Sequence, residues 1–124
     1  MSGSRGLEKT PEDILQQEIL KERAEVLGKA GISVEKALAK LRDIEADIEE
    51  KKRLLTGLAQ GDRERLRAIK EINREISRFN NQREYVKLRF YYLVVTREAL
   101  GLRRHQRIEE FYRIPPKKRH IREA

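Results

Sequence analysis

Apolar residues recur along this chain at helical spacing, and the repeat sharpens into heptads after residue 33. With position a at Val34, Leu41, Ile48 and Leu55, position d holds Ala37, Ile44, Lys51 and Leu58. A second run reads Ile69, Ile76, Arg83, Phe90 and Arg97 at a, with Ile72, Phe79, Val86, Leu93 and Leu100 at d. Between them, Ala59-Gln60-Gly61-Asp62 has the chemistry of a turn: a glycine free to take positive φ and an aspartate able to cap a second helix. The repeat predicts two long helices, an arm over 11–59 and an arm over 62–112, joined by a turn at 59–62.

The two runs also predict how the arms lie. In an antiparallel pair, a positions of one helix layer against d positions of the other, so partners should straddle one fixed residue. Ile48 with Ile72, Ile44 with Ile76, Leu41 with Phe79, Val34 with Val86, Ala30 with Phe90, Leu27 with Leu93 and Leu20 with Leu100 all straddle residue 60. That is where the turn residues already are. The fold class expected is therefore all-α, a long antiparallel helical hairpin of coiled-coil type, assembling into a helical-bundle oligomer.

The ends of the arms carry their own signals. Thr10 is placed to cap the first helix, Pro11 sits where its missing N–H costs nothing, and Glu12 and Asp13 favour the positive end of the helix dipole. Residues 1–9 are small, polar and glycine-bearing, and read as a disordered N-terminus. The stripe shifts across Gly28 to Ser33, with Gly31 able to end a helix and Ser33 to start one, so a break or kink is expected near 28–33. Pro115 and Pro116 end the second arm at about Tyr112 and leave 113–124 as a basic, proline-containing tail.

One stretch exceeds what a hairpin can cover. Tyr85 to Leu102 is apolar on nearly every helical face, and a helix greasy all round must be covered from more than one side. Tyr85, Leu88, Tyr91, Tyr92, Val94, Val95 and Leu102 lie outside the seam and are expected to form a protein interface. A second copy is the simplest cover, a two-fold dimer giving a four-helix bundle at that end; residues 11–28 folding back is the other way to cover it.

Charge adds a direction. The chain of 124 residues has 29 Lys and Arg against 21 Asp and Glu, a net charge of +8, and the whole excess falls in residues 62–124. Arg103, Arg104, Arg107, Lys117, Lys118 and Arg119, interleaved with Phe111 and Tyr112, are candidates for phosphate or partner contact. The plainer reading is a solubilising helix end and a loose tail. Ile114 to Ile121 could also serve as a docking peptide, extended by its prolines.

Chemistry is otherwise sparse. His105 and Glu109 stand four apart, as two metal ligands would, but no third ligand accompanies them. Neither a catalytic constellation nor a nucleotide loop is present, so no enzyme, cofactor or metal is expected. There is no cysteine, no apolar signal core and no run long enough to span a membrane, which fits a cytoplasmic protein. The functional expectation is a non-enzymatic coiled-coil adaptor or assembly protein that self-associates through its aromatic segment and offers a basic end to a protein partner. The alternative is a factor that grips RNA or DNA phosphates, or sits on the ribosome, through its basic C-terminal region.

Overall fold

The structure, a computed structural model, describes residues 8–123. It contains two long helices and a short one: α1 (Pro11–Leu55), α2 (Arg63–Ala99) and α3 (Gln106–Phe111). α1 and α2 pack antiparallel as a hairpin, with no strand among the described residues. At 1.5 Å per residue the 45-residue α1 is about 67 Å long.

α1 starts as its capping residues require. The Thr10 hydroxyl accepts from the Asp13 N–H at 3.1 Å, and the Asp13 carboxylate accepts from the Thr10 N–H at 3.2 Å. Two otherwise orphaned donors are thereby satisfied. The helix then runs unbroken through Gly28 and Gly31, so the break expected near 28–33 is absent. Each interior glycine costs about 1 kcal/mol against alanine. Leu27, Ala30 and Val34 pack on the core across the junction and hold the backbone helical.

The turn is longer than expected, because α1 stops at Leu55 rather than residue 59. Gly61 takes φ +86°, and Asp62 caps α2 by accepting from the Glu64 N–H at 3.1 Å. Arg65 reaches back from α2 and donates to the Leu55 carbonyl at 3.1 Å, where the end of α1 leaves an acceptor open.

The register centred on residue 60 is present. Lys51, a charged residue at a d position, pairs across the hairpin with Glu71 at 3.0 Å, and the Gln82 side chain donates to the Ala37 carbonyl at 3.0 Å. Val34, Leu41, Ile44, Ile48, Ile72, Ile76, Phe79 and Val86 are almost completely buried. The core they form reaches only to Leu93, since Leu27 and Phe90 are half-buried and Leu20 is exposed.

α2 does not continue to Tyr112. It ends at Ala99, thirteen residues before that tyrosine. Gly101 adopts φ +87°, its N–H bonds the Glu98 carbonyl at 3.0 Å, and the Leu102 N–H bonds the Arg97 carbonyl at 2.9 Å. This pair of bonds is a Schellman close, which needs a residue indifferent to positive φ, and glycine supplies it. The chain reverses there. α1 consequently overhangs α2, and Ile14, Leu15, Ile19 and Leu20 continue its apolar stripe into solvent.

The remainder of the chain is the main departure from expectation. Residues 112–123 are neither helical nor loose: they run extended along the hairpin, antiparallel to α2, from near Gly31 to the turn. Tyr112, Ile114 and Ile121, with Ile108 of α3, pack against the hairpin core. The hairpin is thus strapped along one side by its own C-terminal segment.

Candidate interaction surfaces

Three features lie outside the core: an exposed apolar face of α2, the extended strap and a cationic row on α2.

The first is the aromatic stretch. Tyr85, Leu88, Tyr92, Val95 and Ala99 succeed one another at steps of three, four, three and four, which defines a second heptad seam. It lies on the side of α2 turned away from the core stripe of Val86, Phe90 and Leu93. Tyr85 is 46% exposed, Leu88 46%, Tyr92 48% and Val95 42%, so nothing among the described residues closes it. Tyr91 and Leu102 are exposed beside it, whereas Val94 is half-buried and turned inward. Arg89 flanks the seam with its guanidinium 5.5 Å from the Tyr85 ring and 5.8 Å from that of Tyr92, and it donates to the Tyr85 hydroxyl at 3.2 Å. Glu84 and Glu98 occupy the opposite flank.

The second feature is the strap. Asn80 donates to the Lys118 carbonyl at 3.0 Å while its own oxygen accepts from the Lys118 N–H at 2.9 Å. Asn73 does the same for Ile121, at 2.9 and 2.7 Å. Seven helical residues advance about 10 Å, and three extended residues advance about the same. Two asparagines one heptad apart therefore meet two peptide units three apart. Arg83, anomalous at an a position, donates from Nε to the Pro115 carbonyl at 2.7 Å. Ser77 meets His120 at 2.8 Å.

The Lys118 side chain is engaged as fully as its backbone. Its ammonium lies 3.0 Å from Glu45, 3.6 Å from Glu49 and 5.0 Å from the centre of the Phe79 ring, and the side chain is only 18% exposed. Of the six basic residues expected to meet phosphate, Lys118 is thus committed inside the chain. Lys117 stands 3.8 Å from Glu84. Arg103, Arg104, Arg107 and Arg119 are exposed.

Near the Schellman turn, Arg97 donates to the Arg104 carbonyl at 2.9 Å and to His105 Nδ1 at 3.3 Å. With Nδ1 accepting, the ring proton sits on Nε2 and faces Glu98 at 3.1 Å. His105 thus turns to Glu98, and no group of three metal-ligating side chains is found among the described residues. Tyr112 closes the other side of the strap, donating to Glu35 at 3.2 Å. Burial, then the negative charge and hydrogen bond of Glu35, raise its phenol above the ordinary value.

The third feature escaped sequence reasoning. Arg63, Arg67, Lys70, Arg74 and Arg78 recur every three or four residues along the outer face of α2, all exposed. Only Arg78 has an ion-pair partner among the described residues, Glu75 at 3.5 Å. The signal was present as a basic i, i+4, i+7 row, interspersed in sequence with Glu64, Glu71 and Glu75 on neighbouring faces. No described helix is long and apolar enough to cross a membrane. No protein-family model, curated protein or solved structure matches the chain.

Proposed function

We propose that the protein is a non-enzymatic assembly component, a strapped hairpin that pairs with a second copy through the seam Tyr85, Leu88, Tyr92, Val95 and Ala99. The observation that carries this reading is the second heptad, apolar at every step and open along its length. Fully burying one such side chain contributes about 1.5–3 kcal/mol, so closing the seam twice over, once per copy, is a substantial gain.

Charge selects the orientation. In a parallel pair, a residue preceding an a position meets the residue five further on in the partner, which sets Glu84 beside Arg89 of the second copy in both directions. An antiparallel pair centred on the same seam sets Arg89 against Arg89 and Glu84 against Glu98. The row Arg67, Arg74 and Arg78 on the same face ends the contact at about Asn81, and the helices diverge from there as their crossing angle carries them apart. In this arrangement both free basic ends, Arg103, Arg104 and Arg107, emerge at the same end of the assembly, available to an acidic partner.

The test is direct because the chain has no cysteine. Leu88→Cys is expected to form an intermolecular disulfide under mild oxidation, as parallel d positions face one another. Leu88→Glu or Tyr92→Glu should give a monomer by light scattering with helical content retained. A native chain that is monomeric at every concentration, or a Tyr92→Glu variant of unchanged mass, would contradict the reading.

A second reading rests on the cationic row of α2. Arg63, Arg67, Lys70, Arg74 and Arg78 form a line suited to a polyanion backbone, with Arg103, Arg104 and Arg107 as further contacts. Any such binding must fall steeply as salt rises. Failure to retain the protein on heparin or RNA at low salt removes it.

A further inference from the structure

The strap has the properties of a bound peptide rather than of a core element. Every fully buried residue of the core belongs to α1 or α2, whereas Tyr112, Ile114, Pro115, Lys118 and Ile121 of the segment are only partly buried against them. The contacts that do hold it are those of a receptor. Asn73 and Asn80 each offer a donor and an acceptor in the geometry of a neighbouring peptide group, and so read backbone irrespective of side chain. Arg83 holds a third carbonyl, that of Pro115. Pro115 and Pro116 preset the extended conformation and lower the entropy lost on docking.

Two positions select side chains. At one, Glu45, Glu49 and the face of Phe79 surround an ammonium, a combination of charge and aromatic ring suited to lysine. Three residues on, Ile121 packs against the hairpin core. Each reading group lies on α1 or α2, and the segment it reads is joined to them only through the Schellman turn and the six-residue α3.

We infer that the groove between α1 and α2 is a peptide-binding site, occupied here by the chain's own C-terminal segment, which accepts an extended segment of a partner protein carrying lysine with an aliphatic residue three positions later. The inference is independent of pairing through the second seam, which lies on another face of α2. A tethered occupant acts at an effective concentration of order millimolar, so a competing segment must exceed that threshold to displace it. The tether thereby keeps the groove closed to weak or adventitious peptides.

The experiment spoils the resident ligand and leaves the groove intact. In the full chain, Lys118→Glu with Ile121→Asp sets a carboxylate against Glu45 and Glu49 and removes the aliphatic anchor. A fluorescent peptide of residues 113–123 is then titrated and monitored by anisotropy. It should bind this variant at least about ten-fold more tightly than it binds the intact chain, whose own segment competes. Adding Asn73→Ala and Asn80→Ala should weaken binding again by about ten-fold or more, since two pairs of backbone hydrogen bonds are lost. A peptide with Arg119→Ala should bind within about three-fold of the original, because exposed Arg119 contributes little. A peptide with Lys118→Glu should not bind. A folded variant that ignores the peptide, or binds it equally without the asparagines, would overturn the inference. So would loss of the helical hairpin by circular dichroism in the spoiled variant, for the segment would then be part of the core.

Discussion

The half of the hairpin nearest the turn and the half farthest from it are made of the same two helices, yet they differ in closure. From Val34 to Leu55 on α1 and Ile69 to Val86 on α2, each seam residue has a partner across the hairpin, and the strap covers one flank. At the far end α2 stops at Ala99 while α1 extends to Pro11, leaving Leu15, Ile19 and Leu20 without a facing helix. Tyr85, Leu88, Tyr92 and Val95 meanwhile point away from the core altogether. Apolar periodicity is common to both halves. What separates them is whether the chain itself supplies the second surface, and where it does not, the apolar residues are available to another molecule.

Substitutions in the two halves should therefore fail differently. The largest effect is expected from Phe79→Ala, which removes the biggest fully buried side chain and the ring beneath Lys118. A loss of about 3–5 kcal/mol in urea unfolding is expected, with helicity and strap lost together. Tyr92→Ala, at the same helix's open half, should leave monomer stability within about 0.5 kcal/mol.

Asn80→Ala comes next. It leaves the Lys118 N–H and carbonyl without their partner, and each such loss costs about 1–3 kcal/mol where the groups stay partly shielded. The strap is expected to detach before the hairpin unfolds, which trypsin would report as rapid cleavage after Lys117 and Lys118.

Gly28→Ala should act in the opposite sense. Outside its own stretch of helix backbone no described atom lies within 4 Å of where its Cβ would stand, so alanine adds helix propensity without a clash. A gain of about 1 kcal/mol is expected from chemical denaturation. A loss there would mean that the open half has a neighbour which the monomer does not contain.

The smallest effect is a pH dependence of the strap. Tyr112 has a folded pKa raised by burial and by Glu35, so folding favours its protonated form. That contribution is present below the unfolded tyrosine pKa of about 10 and is lost as pH rises through the folded value. Alkaline titration should loosen 112–123 over that window, and Tyr112→Phe should remove the transition.

Much of the fold is legible in the sequence, and the reasons why some parts are and others are not are physical. The register about residue 60 can be read because it is written twice, once in each heptad run, and the turn chemistry falls between them. Thr10 and Pro11 announce a helix start through local bonds that depend on neighbours in sequence. The stop at Gly101 is masked because Ile108, Phe111 and Tyr112 continue an apparent helical period past it, yet a glycine after Ala99-Leu100 is the natural close of a helix. The strap is hidden for a deeper reason. Its bonds run from side chains of α2 to backbone of 115–121, and backbone leaves no pattern in a sequence. The readable trace is on the receptor: two asparagines, Asn73 and Asn80, one heptad apart beside the core stripe, where a solvated helix face has no need of them. Lys118 illustrates the consequence, for a tail lysine in a basic run resembles a phosphate contact until Glu45 and Glu49 are found beneath it.

Residue-resolved amide hydrogen exchange, repeated over a dilution series of the intact protein, tests the division between the two halves. Amides of 34–48 and 69–79, together with those of Lys118 and Ile121, are expected to stay protected at every concentration, while protection across 85–99 falls on dilution. Uniform protection of 85–99 at all concentrations, or exchange at Lys118 and Ile121 as fast as in the free peptide, would contradict it.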